Sequence, residues 1–336
     1  MVRLFVALLL AACTAGCVSR PPAPPVRNPN DGLFAEISTP RGTLVCRLEF
    51  EKAPLTVASF VGLAEGKLGP APGKPFFDGL VFHRIVPGFV IQGGDPEGTG
   101  RGGPGYTFPD EFFSGQRHDG PGLISMANSG PDSNGSQFFI TLGEARHLDY
   151  VHSIFGRVER GAELLPQIAR GDPMSVKIVR RGPAALAFAT DAPAFNARLA
   201  AASRWSPPVF EDRTRLNVGP PPWQARYLEQ RLANLARFTG RRIYLRLADS
   251  FPPKSPDQTT ADALAELRQR WHLPPDAILA AFALDDNRWY LSGGPAGLAL
   301  PDLSAAGTDA GPPSQSSLYK AAGLVVSGLI DQTDPK

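Results

Sequence analysis

The stretch FHRIVPGFVIQGGD (residues 82–95) and, after a Gly-rich turn region, GPGLISMANSGPDSNGSQFFIT (120–141) decide how this chain is read. Both break short apolar or β-branched runs with Gly, Pro and Asn. They give strands at 80–85, 89–92, 123–127 and 138–141, and HLDYVHSIFGRV (147–158) adds one at 154–158. Upstream, 34–38 and 43–50 alternate across a Pro-Arg-Gly turn, a hairpin signal. Residues 54–65 form a helix: Pro54 suits its first position, Val57, Phe60, Val61 and Ala64 share a face, and Gly66 closes it. A short helix at 162–169 and a strand at 175–180 complete the unit. Many short strands with two helices predict a mainly β fold, a closed barrel with a helix at each end.

Gly and Pro stand at 35 each, about a fifth of 336 residues against a usual ~12%. That excess is too small for a disordered chain, and 43% hydrophobic residues can build a core. Net charge is +2, with short basic doublets such as Arg180-Arg181 and Arg241-Arg242 in place of a stripe, so no nucleic-acid partner is expected. The Gly-rich run 93–105 lacks the Lys-Ser/Thr ending of a phosphate loop and is read as tight β connections.

Residues 1–17, MVRLFVALLLAACTAGC, place Arg3 before an apolar run too short to span a bilayer, as in a signal peptide. Small residues lead into cysteine twice, resembling the bacterial lipobox. Cys17 is the preferred lipidation site and Cys13 the alternative. Residues 18–32 are a Pro-rich tether. Cys46 alternates with Leu44, Leu48 and Phe50 and is read as a buried strand residue. Thr14 or Val18, not Asp, follows the candidate cysteines, so the expected location is the periplasm-facing envelope, with the outer membrane favoured.

Beyond residue 182 the pattern changes. Residues 183–222 read as a linker or helical arm and 223–305 as a small α/β domain. The latter has helices at 223–238 and 259–271, strands at 243–248, 278–284 and 289–291, and a turn at Asp285-Asp286-Asn287. Residues 306–336 read as a flexible tail.

Taken together, the motifs of 82–158 resemble the cyclophilin-type peptidyl-prolyl cis-trans isomerases, over about 33–182. The resemblance implies an eight-stranded antiparallel barrel capped by two helices. It implies Arg84 as the catalytic arginine and Gln92 as the residue that orients it. Phe89, Val90, Phe139 and Leu148 match the family's proline pocket, with Val90 where methionine is common. Met126, Ala127 and Asn128 match the strand that pairs with the peptide, and Gln137 and His152 the remaining groove positions. His83 is expected to support the site from behind, and Phe138 to be core. His147 stands where many members carry a tryptophan that contacts cyclosporin, so weak cyclosporin binding is expected. Residues 223–300 show a weaker resemblance, to TPM-type α/β modules, in which Asp285 and Asp286 would match an acidic pair.

The chemistry fits these residue types. An X–Pro bond rotates slowly against a barrier of about 20 kcal/mol. A catalyst must grip the proline ring, hold the flanking backbone, and aim a donor at the prolyl nitrogen as it loses conjugation. Arginine offers a permanently charged fork of donors. No cofactor and no metal is needed. The expected partners are proline-containing polypeptides, a membrane through the lipid, and a protein for the C-terminal domain; the chain is expected to be monomeric. The reading is an envelope foldase. The alternative is an envelope scaffold whose groove and C-terminal domain hold a partner while isomerisation is incidental.

Overall fold

The computed structural model describes residues 28, 30–203, 210–214, 223–251, 259–301 and 314–334. The expected signal segment, both candidate lipidation cysteines and most of the tether lie outside them.

Eight strands form one antiparallel sheet: β1 (Gly32–Thr39), β2 (Gly42–Leu48), β3 (Arg84–Val86), β4 (Val90–Gly93), β5 (Leu123–Met126), β6 (Phe138–Thr141), β7 (Ile154–Arg160) and β8 (Ser175–Arg181). Their order is β3-β4-β6-β5-β7-β2-β1-β8. The ladder is open, with β3 and β8 at its edges, where a closed barrel was expected. The two ends are nonetheless bonded through the residues that precede them. Met174 N donates to Leu80 O at 2.8 Å, Gly79 N to Met174 O at 2.9 Å and Gly171 N to Phe82 O at 2.9 Å. A single bridge pairs Val81 with Pro173. Pro173 has no N–H to donate, which is enough to stop a regular ladder there.

Helix α1 (Pro54–Ala64) fills one end of the sheet, and ten of its eleven residues are buried. Its first free N–H groups are capped from a distance: Leu55 N and Thr56 N donate to the Glu111 carboxylate at 3.1 and 2.9 Å. Phe60 meets Phe77, Phe138 and Phe155 at ring centroid separations of 5.0, 5.5 and 5.1 Å. Phe138 is wholly buried, as expected, and truncating such a phenylalanine costs about 3–5 kcal/mol. Cys46 is also in this core, and burial pushes its thiol pKa up to about 12, so it is unreactive. The second expected helix is instead a 3-10 turn, Ala162–Gln167, with Pro166 inside it. Proline cannot supply the N–H a regular α-turn needs.

After β8 come α2 (Pro183–Ala187) and α3 (Ala192–Ala201). A second sheet then orders β12-β11-β10-β9, from β9 (Phe210–Arg213), β10 (Ile243–Ala248), β11 (Ile278–Ala283) and β12 (Arg288–Ser292). β9, β10 and β11 are parallel, and β12 returns antiparallel. β9 lies in the stretch read as linker. Its sequence, FEDR, carries no apolar alternation that would have marked it.

Helices α4 (Trp223–Thr239), α5 (Thr260–Arg270) and α6 (Gln315–Thr333) cover this sheet. β11 is buried on both faces. Ile278, Ala280 and Phe282 join the cluster that includes Leu228, Leu232, Val326 and Ile330, while Leu279 and Ala281 meet Leu264 and Leu267. α6 corrects the flexible tail expected over 306–336 in its described part, 314–334; the remainder lies outside the described residues. Leu318, Ala322, Val325, Val326, Leu329 and Ile330 recur at helical spacing and are all buried.

The second unit is docked on the first. Phe112 and Tyr150 of the first unit sit in the apolar cluster of the second. At the end of α6, Asp334 accepts from Gly115 N at 2.9 Å and Arg241 Nη1 at 2.9 Å, and from Ser114, Arg117 and Tyr150. Asp331 accepts from Arg117 Nε at 3.0 Å and Arg146 Nη2 at 2.6 Å. Arg231 of α4, 1% exposed, donates to Asp149 O at 3.1 Å and Ser327 Oγ at 2.9 Å.

Candidate active site

The period-2 rule of strands assembles the site. Arg84 pairs with Gln92 across β3 and β4, and Gln92 with Phe139 across β4 and β6. Directly opposed residues point to the same face, so these three form a row on one side of the sheet. The neighbouring row, Ile91, Ile140 and Ile124, is wholly buried on the other side. Val90, two residues before Gln92, shares the site face.

Arg84 is exposed, and among the described residues no carboxylate pairs with it. Its Nη1 donates to Gln92 Oε1 at 3.2 Å. Gln92 Nε2 donates to Gln137 Oε1 at 3.0 Å, and Gln137 Nε2 to Gly102 O at 2.9 Å. The last acceptor is a carbonyl, so the direction of the whole chain is fixed, and both amides are held with oxygen toward the arginine. The guanidinium is thereby positioned while its remaining donors stay available.

Beside this row lies an apolar seat. Val90, Phe139, Ala145 and Leu148 form its floor, with Phe89 and Ala127 packed against them. His152 stands at its edge, its ring perpendicular to that of Phe139 at 5.4 Å. His152 Nδ1 is 2.9 Å from Met126 O, which can only accept, so the proton is on Nδ1. Burial lowers the His152 pKa to about 3, so the ring is neutral and acts neither as acid nor as charge.

Ala127 and Asn128 follow β5 along the groove. The Asn128 side chain is locked, with Nδ2 donating to Val151 O at 2.8 Å and Oδ1 accepting from Gly130 N at 3.3 Å. Among the described residues its main-chain N–H and C=O make no backbone bond, leaving one donor and one acceptor for an extended peptide. Met126 does not share this role. It pairs with Phe138 in the inward row, its side chain is in the core, and its N–H is spent on Ser153 O. Alternation along β5 makes Ala127, not Met126, the first groove residue.

His83 is buried behind Arg84 with no partner on either ring nitrogen among the described residues, and burial lowers its pKa. The Gly-rich loop is organised by Asp95. Burial opposes ionisation of this carboxylate, but main-chain bonds from residues 97, 100 and 102 outweigh it and its pKa is lowered. The loop's N–H groups thus already hold an anion, which explains the Gly run without a phosphate. With Arg101, Tyr106 and Gln137 it borders a second cleft of about 810 Å³ that continues the groove past Ala127 and Asn128.

Two further features were not legible in the motifs. Ser125, His118 and Asp149 are linked, with His118 Nε2 3.1 Å from Ser125 Oγ and Nδ1 3.2 Å from Asp149 Oδ1. All three are fully buried, so the serine cannot meet a substrate; His118 stacks at 6.1 Å behind Phe139 and supports the seat. The second feature is Tyr227, which reaches the seat from α4 in the other unit. Nothing near it in sequence marks the site.

Asp285 and Asp286 lie in the β11–β12 turn, where Tyr290 Oη donates to Asp286 Oδ2 at 3.0 Å. Among the described residues no group of three or more His, Cys, Asp or Glu side chains is arranged to hold a metal.

Comparison with known proteins finds relatives over the first unit. The family model described as cyclophilin type peptidyl-prolyl cis-trans isomerase/CLD matches residues 34–182. Peptidyl-prolyl cis-trans isomerase A of Mycobacterium tuberculosis is 53% identical over 131 residues, covering 37% of this chain and 72% of that one. Peptidyl-prolyl cis-trans isomerase B of Streptomyces anulatus is 46% identical over 146 residues, covering 41% and 83%. A solved Cryptosporidium parvum cyclophilin type isomerase, crystallised with the dipeptide Ala-Pro, is 31% identical with a TM-score of 0.39, covering 45% of this chain and 99% of that one.

Proposed function

Because the chain belongs to the cyclophilin-type peptidyl-prolyl cis-trans isomerases, it is an enzyme that turns X–Pro bonds, and we propose that it does so for exported proteins in the bacterial envelope, held to a membrane by an N-terminal lipid. The observation that carries the catalytic part is the row of Arg84, Gln92 and Phe139 across three adjacent strands. It sets a positioned cation beside an apolar seat.

The proline ring enters the seat of Val90, Phe139 and Leu148, and the chain beside it lies along Asn128. With both held, rotation is confined to the X–Pro bond. As the bond twists, the nitrogen lone pair leaves conjugation and becomes an acceptor. Arg84 donates to it, an interaction stronger in the twisted state than in the planar one. No bond is broken and no proton needs to move, consistent with a neutral His152 and an arginine that never deprotonates.

The envelope part rests on the signal-like run 1–17, the two lipobox-like cysteines and the Pro-rich stretch after them. Among the described residues no helix is long and apolar enough to cross a membrane. The C-terminal unit belongs to the same reading, as a TPM-like module that positions the isomerase. The test is expression of the whole chain with its own N-terminus in a Gram-negative host fed labelled palmitate. Label in the membrane fraction, lost in Cys17→Ser and kept in Cys13→Ser, is the expected result. An unlabelled, freely soluble product would overturn the envelope assignment and leave the isomerase untouched.

A further inference from the structure

An open binding seat has to expose its apolar walls to water. Here the walls are closed: Val90 is 2% exposed, Phe139 4% and Leu148 3%. One of the side chains packed on them comes from the other unit. Tyr227 of α4 packs on the same cluster as Phe89 and Ala127, and its hydroxyl lies 3.4 Å from His152 Nε2. Because Nδ1 of that ring carries the proton, Nε2 is the acceptor and the tyrosine donates. At 3.4 Å the bond is weak, so ring contact rather than the hydroxyl accounts for most of the cover. Arg84 is near enough for its charge to act on the phenol.

The helix that carries Tyr227 is fixed. Residues 230, 231 and 234 follow it at spacings of three, four and seven, on the same side of α4. Gln230 Nε2 donates to Val151 O at 3.2 Å, Arg231 Nε to Asp149 O at 3.1 Å, and Asn234 Nδ2 to Tyr150 O at 2.9 Å. These anchor the tyrosine to the segment that supplies Leu148 and His152. The other side of Tyr227 borders a cleft of about 480 Å³, shared with His147, Trp223 and Tyr319. Trp223, one turn earlier, is 54% exposed and meets the Tyr227 ring edge-on at 5.3 Å. The cleft lies on the side of Tyr227 away from the seat, so a change of side-chain rotamer with α4 in place would carry the ring toward it.

We propose that Tyr227 is a built-in occupant of the proline seat, a gate that a prolyl substrate must displace before Arg84 can act. This rests on the assignment of the seat to proline. A ligand that needs the rarer, open form binds with its affinity divided by the open fraction; a seat open in about one molecule in ten lowers kcat/KM about tenfold. Tyr227 thus sets which prolines are accepted, favouring segments whose flanking contacts along Asn128 and Gln137 help to displace it.

The experiment measures kcat/KM of the full chain on a tetrapeptide containing Ala-Pro, for the wild type, Tyr227→Ala, Tyr227→Phe and each with Arg84→Ala. Expected is a rise of about three- to tenfold in Tyr227→Ala, mostly through KM, with Tyr227→Phe close to wild type and all activity dependent on Arg84. An unchanged or lower kcat/KM in a folded Tyr227→Ala overturns the gate, because a wall that merely helps hold proline would lose binding when cut back. Should Tyr227→Ala melt early, nuclear Overhauser contacts between the Tyr227 and Phe139 rings in the wild type take its place. Their loss on adding the peptide supports the gate, and their persistence overturns it. If activity is present but independent of Arg84, the site reading itself fails, which is a separate result.

Discussion

Arg84 and Gln92 are directly opposed in the β3–β4 ladder, and Arg84 Nη1 donates to Gln92 Oε1 at 3.2 Å. Register alone therefore brings the two residues together, and the Gln92–Gln137–Gly102 chain fixes their orientation. Gln92→Leu keeps the volume and removes both bonds. It is expected to lower kcat/KM about tenfold, the scale of a lost positioning contact, while leaving the melting temperature nearly unchanged. Steady-state kinetics with a thermal melt separates the two effects. Activity equal to the wild type would show that the arginine needs no support.

Arg84→Lys keeps the charge but removes the planar fork of donors. A loss of at least about tenfold in kcat/KM is expected, since one ammonium cannot bond Gln92 and the prolyl nitrogen with the same geometry. Full activity in the lysine variant would mean that charge alone suffices.

His147 is exposed and stacks on Phe89 at 5.5 Å, at the position where the family resemblance implies a cyclosporin-contacting tryptophan. Inhibition by cyclosporin is expected to be weak in the wild type and stronger in His147→Trp, with prolyl activity largely kept in both. Nanomolar inhibition of the wild type contradicts this.

Asp334 is fully buried and neutralises the buried side of Arg117, whose side chain is 1% exposed. Asp334→Ala leaves Arg117 with the Asp331 carboxylate alone and takes the acceptor from Gly115 N and Tyr150 Oη, and is expected to cost about 3 kcal/mol, read from urea unfolding. The change should appear first in the contact between the two units, as loss of hydrogen-exchange protection at residues 114–118.

Acid should weaken the same contact. Burial opposes ionisation of Asp149, but the His118 bond and the charges of Arg231 and Arg146 outweigh it, lowering its pKa to about 2. Burial also opposes ionisation of Asp331 and Asp334, but bonds from Arg146 and Arg117 lower the first, and bonds from Gly115 N, Ser114, Tyr150 and Arg117 lower the second. Groups with depressed folded pKa values stabilise above the unfolded value of about 3.9 and lose that contribution as pH falls through the folded value. Stability is therefore expected to drop between about pH 4 and pH 2. Asp110 has the opposite sign. Burial raises its pKa to about 6, so its contribution is full below its unfolded value and is lost as pH rises through 6. Urea midpoints across pH 2–7 check both signs.

The first unit was largely legible because its motifs are local. Strand alternation and Gly punctuation located β4, β5 and β6 to within a residue or two, and with them Gln92 and Phe139, whereas the strand expected at 80–85 begins only at Arg84. Met126 was misassigned because adjacency in sequence was read as adjacency in space, whereas alternation turns it into the core. β9 has no apolar period to detect. α6 was hidden by the Pro- and Ser-rich residues before it, although Leu318, Ala322, Val325 and Leu329 carry the helical spacing. Tyr227 could not be found from motifs, because it is placed by docking between units more than seventy residues apart in sequence. The Gly-rich loop was correctly taken as a β connection, but its organising group, Asp95, became evident only from the bonds it accepts.

The central claim is that Arg84 is the donor that lowers the barrier to X–Pro rotation. It is tested most directly by exchange NMR of a prolyl peptide, comparing cis–trans interconversion with the full chain and with Arg84→Ala at equal concentration. A fall of at least about a hundredfold in catalysed exchange, with amide spectra showing the fold intact, is the expected result. Undiminished exchange with folded Arg84→Ala would contradict it.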